Sequence, residues 1–314
     1  MRLICADFNA MTEAGYVRLT LPCSREDILR MSLGPGDWAW LSESEILVGA
    51  QLAIDDRYGM VGVPDWDTLV HLDDEGADDF NRVSAALNPL LNGEPPSIEE
   101  EPRSLELLTQ LEHFAPPQIK DAPPGSFAFR RALALRRMGK LGLALLEIED
   151  ARRCRPDDPE VIFVHLDLLR LEDFPAAVAE AETVARSPGV PALVLSACIN
   201  ILSTHAEQAA ADQFEPAARR VLDWCRRLDQ APDREQVEES LVALSHFNRG
   251  VVLLRAGRVS QAREAFEHAH RIYPEGPMLD EVAGLQTYDR HAREIARSVR
   301  TLAEQWIPTR PVAA

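Results

Sequence analysis

Two stretches of this 314-residue chain carry the same residue classes at the same spacing, and no other feature constrains the fold as tightly. One run is Ala132, Leu135, Gly139, Ala144, Ile148, Ala151 and Pro156; the other is Gly250, Leu253, Gly257, Ala262, Phe266, Ala269 and Pro274. In both, the offsets from the first residue are 3, 7, 12, 16, 19 and 24. The spacing is helical, and each residue type has a steric reason. Ala132 and Gly250 project nothing larger than a methyl, so a neighbouring helix can approach closely. Gly139 and Gly257 supply the backbone freedom that ends a first helix. Ala144 and Ala262 permit a tight crossing by a second helix, Ile148 and Phe266 fill the space beside it, and Pro156 and Pro274 end the unit.

This pattern resembles the tetratricopeptide repeat, a helix–turn–helix unit that stacks into solenoids. The two crossing alanines are 118 residues apart, 16 more than three repeats of about 34 residues. Two degenerate units, roughly Pro159–Val190 and Pro191–Gln230, are expected between them. Surplus residues fall at Thr204–Gln213 and Leu228–Glu239. A polar helix over about Asp280–Trp306 is expected to cap the array. The resemblance implies a concave surface lined by first helices. It places Phe129, Leu133 and Arg136 on that surface in one unit and Phe247, Val251 and Leu254 in the other. Some relatives hold acidic chaperone termini with Lys and Asn at these positions. Apolar residues stand there in this chain, so a protein segment such as an amphipathic helix is the expected partner.

Residues 1–72 read differently. Short apolar runs at Leu3–Phe8, Tyr16–Leu21, Asp37–Leu41, Glu45–Ile54, Tyr58–Val63 and Thr68–Leu72 are separated by Gly, Pro and Asp breaks. They predict a small antiparallel, barrel-like domain, with one short helix opened by a Ser24–Asp27 capping box. The expected fold class is therefore α+β and multidomain. A β domain over 1–72 is followed by an acidic, Pro-rich linker with short helices over 73–124. An α-solenoid of about four helix pairs plus a capping helix then occupies 125–314. Residues 65–101 hold eleven Asp or Glu against one Arg. The acidic segment 73–101 is expected to fold back over Arg130, Arg131, Arg136 and Arg137. Alternation puts Trp38 and Trp40 on one face of a strand. With Trp66 they form either core packing or an exposed aromatic platform for a partner.

A net charge of −18 argues against a broad nucleic-acid surface and against docking on an anionic membrane. Five widely spaced cysteines, the absence of an apolar leader and the absence of a spanning apolar run point to a cytoplasmic protein with unpaired thiols. The Gly34-Pro35-Gly36-x-x-Ala39 run fits a dinucleotide fingerprint only loosely and reads better as a turn. Asp65-x-Asp67 with Asp73 and Asp74 lacks calcium-loop spacing and reads as a solvated acidic loop. The histidines form no H-E-x-x-H pair, and His268 and His270 point apart on a helix. The expectation is a non-enzymatic adaptor without cofactor or metal. The alternative is an enzyme or ligand-binding protein whose site lies in the β domain and whose repeats recruit a partner.

Overall fold

The computed structural model describes residues 2–43, 46–71, 105, 106, 109 and 124–273. The chain divides into two compact units, Met1–Glu172 and Asp173–Ala314. The expected capping helix and nearly all of the acidic linker lie outside the described residues.

The first unit opens with a curled five-stranded sheet. Its strands are β1 (Leu3–Cys5), β2 (Val17–Arg18), β3 (Trp38–Glu43), β4 (Ile46–Asp55) and β5 (Gly59–His71), in the order β1-β3-β4-β5-β2. The sheet is mixed rather than antiparallel, because β1 runs parallel to β3 with Leu3 opposite Trp40. A parallel pair needs a long crossover. Residues 6–37 supply it, carrying β2 and helix α1 (Pro22–Met31). The two strands expected on either side of Pro64 are one. Pro64 pairs with Ala50 of β4, beyond the Val61–Gly62 stretch that β2 covers, and such an edge position tolerates a residue without an N–H. The register between β4 and β5 jumps between Leu47 and Gly49. There the Thr68 hydroxyl accepts from the Gly49 N–H at 2.9 Å and donates to the Asp65 carbonyl at 2.7 Å.

The expected capping box does not form. Pro22 occupies the first turn of α1, and the helix has no side-chain cap. Ser24 instead donates its hydroxyl to the Cys5 carbonyl, while the Asp27 carboxylate accepts from the Cys5 N–H at 3.0 Å. Both side chains thus dock the helix onto the end of β1. The Cys23 thiol donates to the Cys5 sulfur, and the pairing with Cys23, helped by burial, pushes the Cys5 thiol up to about 11.

Both sheet faces are covered. Ile4, Val17, Ala39, Leu41, Val48 and Leu52 form a core joined by Ile28 and Met31 of α1. On the opposite face, Trp40, Leu47 and Val70 share a core with helices α2 (Ser126–Arg137) and α3 (Leu141–Cys154). Leu105, 1% exposed, joins this second core. Helix α4 (Pro159–Glu172) packs on α3 and completes the unit.

The second unit contains α5 (Phe174–Arg186), α6 (Ala192–Gln208), α7 (Ala211–Asp229), α8 (Glu239–Arg255) and α9 (Val259–Ile272). The surplus residues noted in the sequence lengthen α6 and α7 to 17 and 19 residues and form a 3-10 turn at Arg234–Gln236. Polar side chains fasten helix ends. Asp173 caps α5 by accepting from the Ala176 N–H at 3.0 Å, and Asp233 accepts from Ala192 N–H at the start of α6 at 3.0 Å. No helix of the described residues is long and apolar enough to cross a membrane.

Candidate functional site

The hairpin of α8 and α9 shows why its small residues are small. A Cβ placed on Gly250 would stand 2.5 Å from the Phe266 ring, so the glycine is the recess that receives this aromatic side chain. Ala262 is fully buried at the crossing, and Gly257 turns the chain with φ +71°. Phe247 meets Phe266 with ring centroids 5.3 Å apart, and Phe247, Val251 and Ala269 form one buried cluster. In the α2–α3 hairpin the equivalent residues Ala132, Leu135, Ala144, Ile148 and Ala151 are all fully buried, and Gly139 turns the chain with φ +74°.

That geometry fixes where each candidate partner residue lies. Phe129, Phe247 and Val251 are buried, at 8%, 7% and 6% exposure. Phe129 also lies under the Arg155 guanidinium, 5.3 Å from its ring centroid. Leu133 and Leu254 are half-buried. Arg136 pairs with Asp167 of α4 at 2.5 Å. Trp38 and Trp40 do share one face, as alternation requires, and both pack on the α2–α3 core. Trp40 has no exposed surface. A Cβ on Gly142 would fall 2.1 Å from the Trp38 indole nitrogen, so the start of α3 lies directly against that ring. Trp66 is 48% exposed and tilts over Phe8 with centroids 6.1 Å apart.

Two charged arrangements escape sequence reading. The Trp40 Nε1–H donates to Glu147 Oε1 at 2.8 Å, and Arg131 donates Nε–H to Glu147 Oε2 at 2.8 Å. Arg131 and Glu147 are 1% and 0% exposed, so Arg131 is no part of a basic surface for an acidic segment. The second arrangement gathers Asp65 and Asp67, expected in a solvated loop, around Lys140 Nζ at 2.9 and 2.8 Å. Burial pulls the Lys140 ammonium down, but its hydrogen bonds to Asp67 and Asp65 outweigh this and hold it above its usual value. The same contact holds the Asp67 carboxyl below its usual value. Among the described residues, no group of three or more His, Cys, Asp or Glu is placed to hold a metal ion.

The α8–α9 geometry, a glycine recess, an alanine crossing and a closing aromatic, has a counterpart among known proteins. Residues 243–275 match the tetratricopeptide repeat. No curated protein matches the chain. The matched segment spans the repeat predicted from Gly250 to Pro274 and takes in nearly all of α8 and α9.

The α8–α9 repeat also borders a half-open cleft of about 740 Å³ with α7 on its far side. His246, Arg249 and Leu253 of α8 face Leu222 and Asp229 of α7 and Ala265 and His268 of α9 across it. His246 and His268 meet edge to face with centroids 4.3 Å apart. Their separation of 22 positions gave no sign that α8 and α9 would bring them together.

Proposed function

We propose that this chain is a non-enzymatic scaffold that binds a protein segment along the exposed side of its first helices, with the α8–α9 repeat as the principal site. The observation that carries this reading is the repeat match over 243–275, since stacked repeats of this kind present extended binding surfaces. Leu254 is one of three half-buried leucines of α8, with Leu241 and Leu244, and the buried Phe247 and Val251 beneath it set the shape of that surface. Leu133 and Arg136 hold the comparable positions on α2, where Phe129 lies beneath. An amphipathic helix suits a surface whose accessible groups are leucines and one arginine. Trp66, half exposed beside Phe8, gives the sheet a separate docking point.

The test is capture of proteins from the native host by the immobilised full chain, with Leu254→Asp and Leu133→Asp variants in parallel. Circular dichroism first establishes that helical content is unchanged. Loss of a specific set of proteins with Leu254→Asp supports the reading. Capture of the same set by both variants at wild-type levels removes the first helices from the interaction, and Trp66→Ser then becomes the variant to measure.

A further inference from the structure

The cleft between α7, α8 and α9 runs against the charge of the whole molecule. The chain carries a net charge of −18, yet five guanidinium groups line this one space: Arg219 and Arg226 from α7, Arg249 from α8, and Arg258 and Arg271 at the two ends of α9. Only Asp229 and Glu264 oppose them in the lining. Asp229 is engaged by Arg249 at 3.5 Å. Among the described residues, Arg219 and Arg226 pair with acidic neighbours one turn away on α7, at 3.7 and 2.7 Å. Among the described residues no ion pair engages Arg258 or Arg271.

A second observation comes from the lining itself. His246 is 2% exposed, and its Nε2 has no hydrogen-bond partner among the described residues. Asp229 Oδ1 lies 3.3 Å away, outside hydrogen-bonding alignment. His246 Nε2 is enclosed beneath the cleft surface, where a buried polar atom lacking a partner is costly. Burial first, then the positive field of His268, Arg234 and Arg249, pushes the His246 imidazole down to about 3. The imidazole is therefore neutral at neutral pH, in a field that favours an anion.

We propose that this cleft is a binding site for a small phosphorylated molecule carrying at least two phosphate groups. Guanidinium forks pair with planar carboxylates or with phosphate oxygens. Here they approach from three helices, and a tetrahedral phosphate offers acceptors in all of those directions, whereas a single carboxylate offers one plane. The volume falls within the range of small-molecule sites, about 300–1,000 Å³. Neither Phe247, Val251 nor Leu254 lines the cleft, so this site is separate from the protein-binding surface proposed above and does not depend on it.

Isothermal titration and thermal unfolding of the full chain with sodium pyrophosphate test the proposal. Sodium citrate and sodium chloride at matched ionic strength are the comparisons. Pyrophosphate is expected to bind one to one and to raise the unfolding midpoint above the chloride value. The double variant Arg258→Gln/Arg271→Gln, whose residues are exposed, is expected to bind at least tenfold more weakly with its own midpoint unchanged. Arg263→Gln, on α9 but outside the lining, is expected to bind like wild type. Asp229→Asn removes a like charge and is expected to tighten binding. Stabilisation equal to that of chloride, or full affinity in the double variant, overturns the site. Citrate binding as tightly as pyrophosphate overturns the phosphate assignment.

Discussion

At the scale of single residues, the most consequential side chain is Glu147, which sits with no exposure between the Trp40 indole and the Arg131 guanidinium. Charges buried this deeply lose their hydration, and pairing returns only part of it. Removing one partner therefore costs more than removing both. Glu147→Leu leaves Arg131 buried without its carboxylate and is expected to cost about 3–5 kcal/mol in chemical denaturation. Arg131→Met combined with Glu147→Leu replaces the pair by apolar volume, a change often neutral or stabilising by about 1–4 kcal/mol. The abandoned Trp40 N–H takes back about 1–3 kcal/mol, which brings the double variant close to wild type. Single-variant losses that simply add in the double would show that the three groups do not act as a unit. Sequence reasoning reached the Trp38–Trp40 face through alternation, because the period of a strand is local. It did not reach Glu147, which is 107 positions from Trp40 and looks like any other charged residue of a helix.

At the scale of elements, the legible part was steric. The glycine and alanine positions announce close helix crossings, and the structure buries Ala144, Ala262 and Ala269 while Gly250 makes room for Phe266. What joins one helix to the next but one is polar and was not legible. Arg255, at the last turn of α8, donates to the carbonyls of Ala206 at 2.6 Å, Ala209 at 2.8 Å and Glu207, all at the end of α6. Ala206 O also accepts from the Ala209 N–H at 3.3 Å, and a cation at a helix C-terminus complements the helix dipole. The same guanidinium lies 4.5 Å from the centroid of Phe214 on α7, so one side chain ties three helices together. Arg255→Ala is expected to lower stability by about 2–3 kcal/mol, the range for hydrogen bonds to a charged group plus a cation–π contact. Arg255→Lys restores only part of this, because a point charge cannot span several carbonyls as the planar fork does. Arg263→Ala, which removes an exposed pair with Glu267 at 3.3 Å, is the comparison and is expected to change stability by less than about 0.5 kcal/mol. Equal effects at the two sites would show that Arg255 contributes no more than a surface charge.

At the scale of the whole molecule, composition and packing divide the chain in different places. The strand-like residues end near position 72, where the acidic segment begins, but the compact unit that contains the sheet runs to Glu172. The reason lies in the sheet's second face. Trp40, Leu47 and Val70 have Phe129, Leu135, Leu143 and Ile148 as core neighbours, and a Cβ on Gly49 would stand 2.2 Å from the Leu143 side chain. Nothing in a local apolar pattern says which distant helices will cover such a face. Residues 1–71 made alone would present this face to water. A sheet of this size with one uncovered apolar side buries too little surface to be stable by itself. Residues 1–172 retain α2, α3 and α4 and are expected to unfold cooperatively. Both fragments contain the same three tryptophans, Trp38, Trp40 and Trp66, so fluorescence compares them directly. The longer fragment is expected to emit at shorter wavelength and to shift to the red in a single denaturant transition as Trp40 is exposed. The shorter one is expected to emit to the red from the start and to bind an apolar dye. A cooperative transition from a blue-shifted state in residues 1–71 would show that the sheet closes its own core, and that α2 and α3 only decorate it.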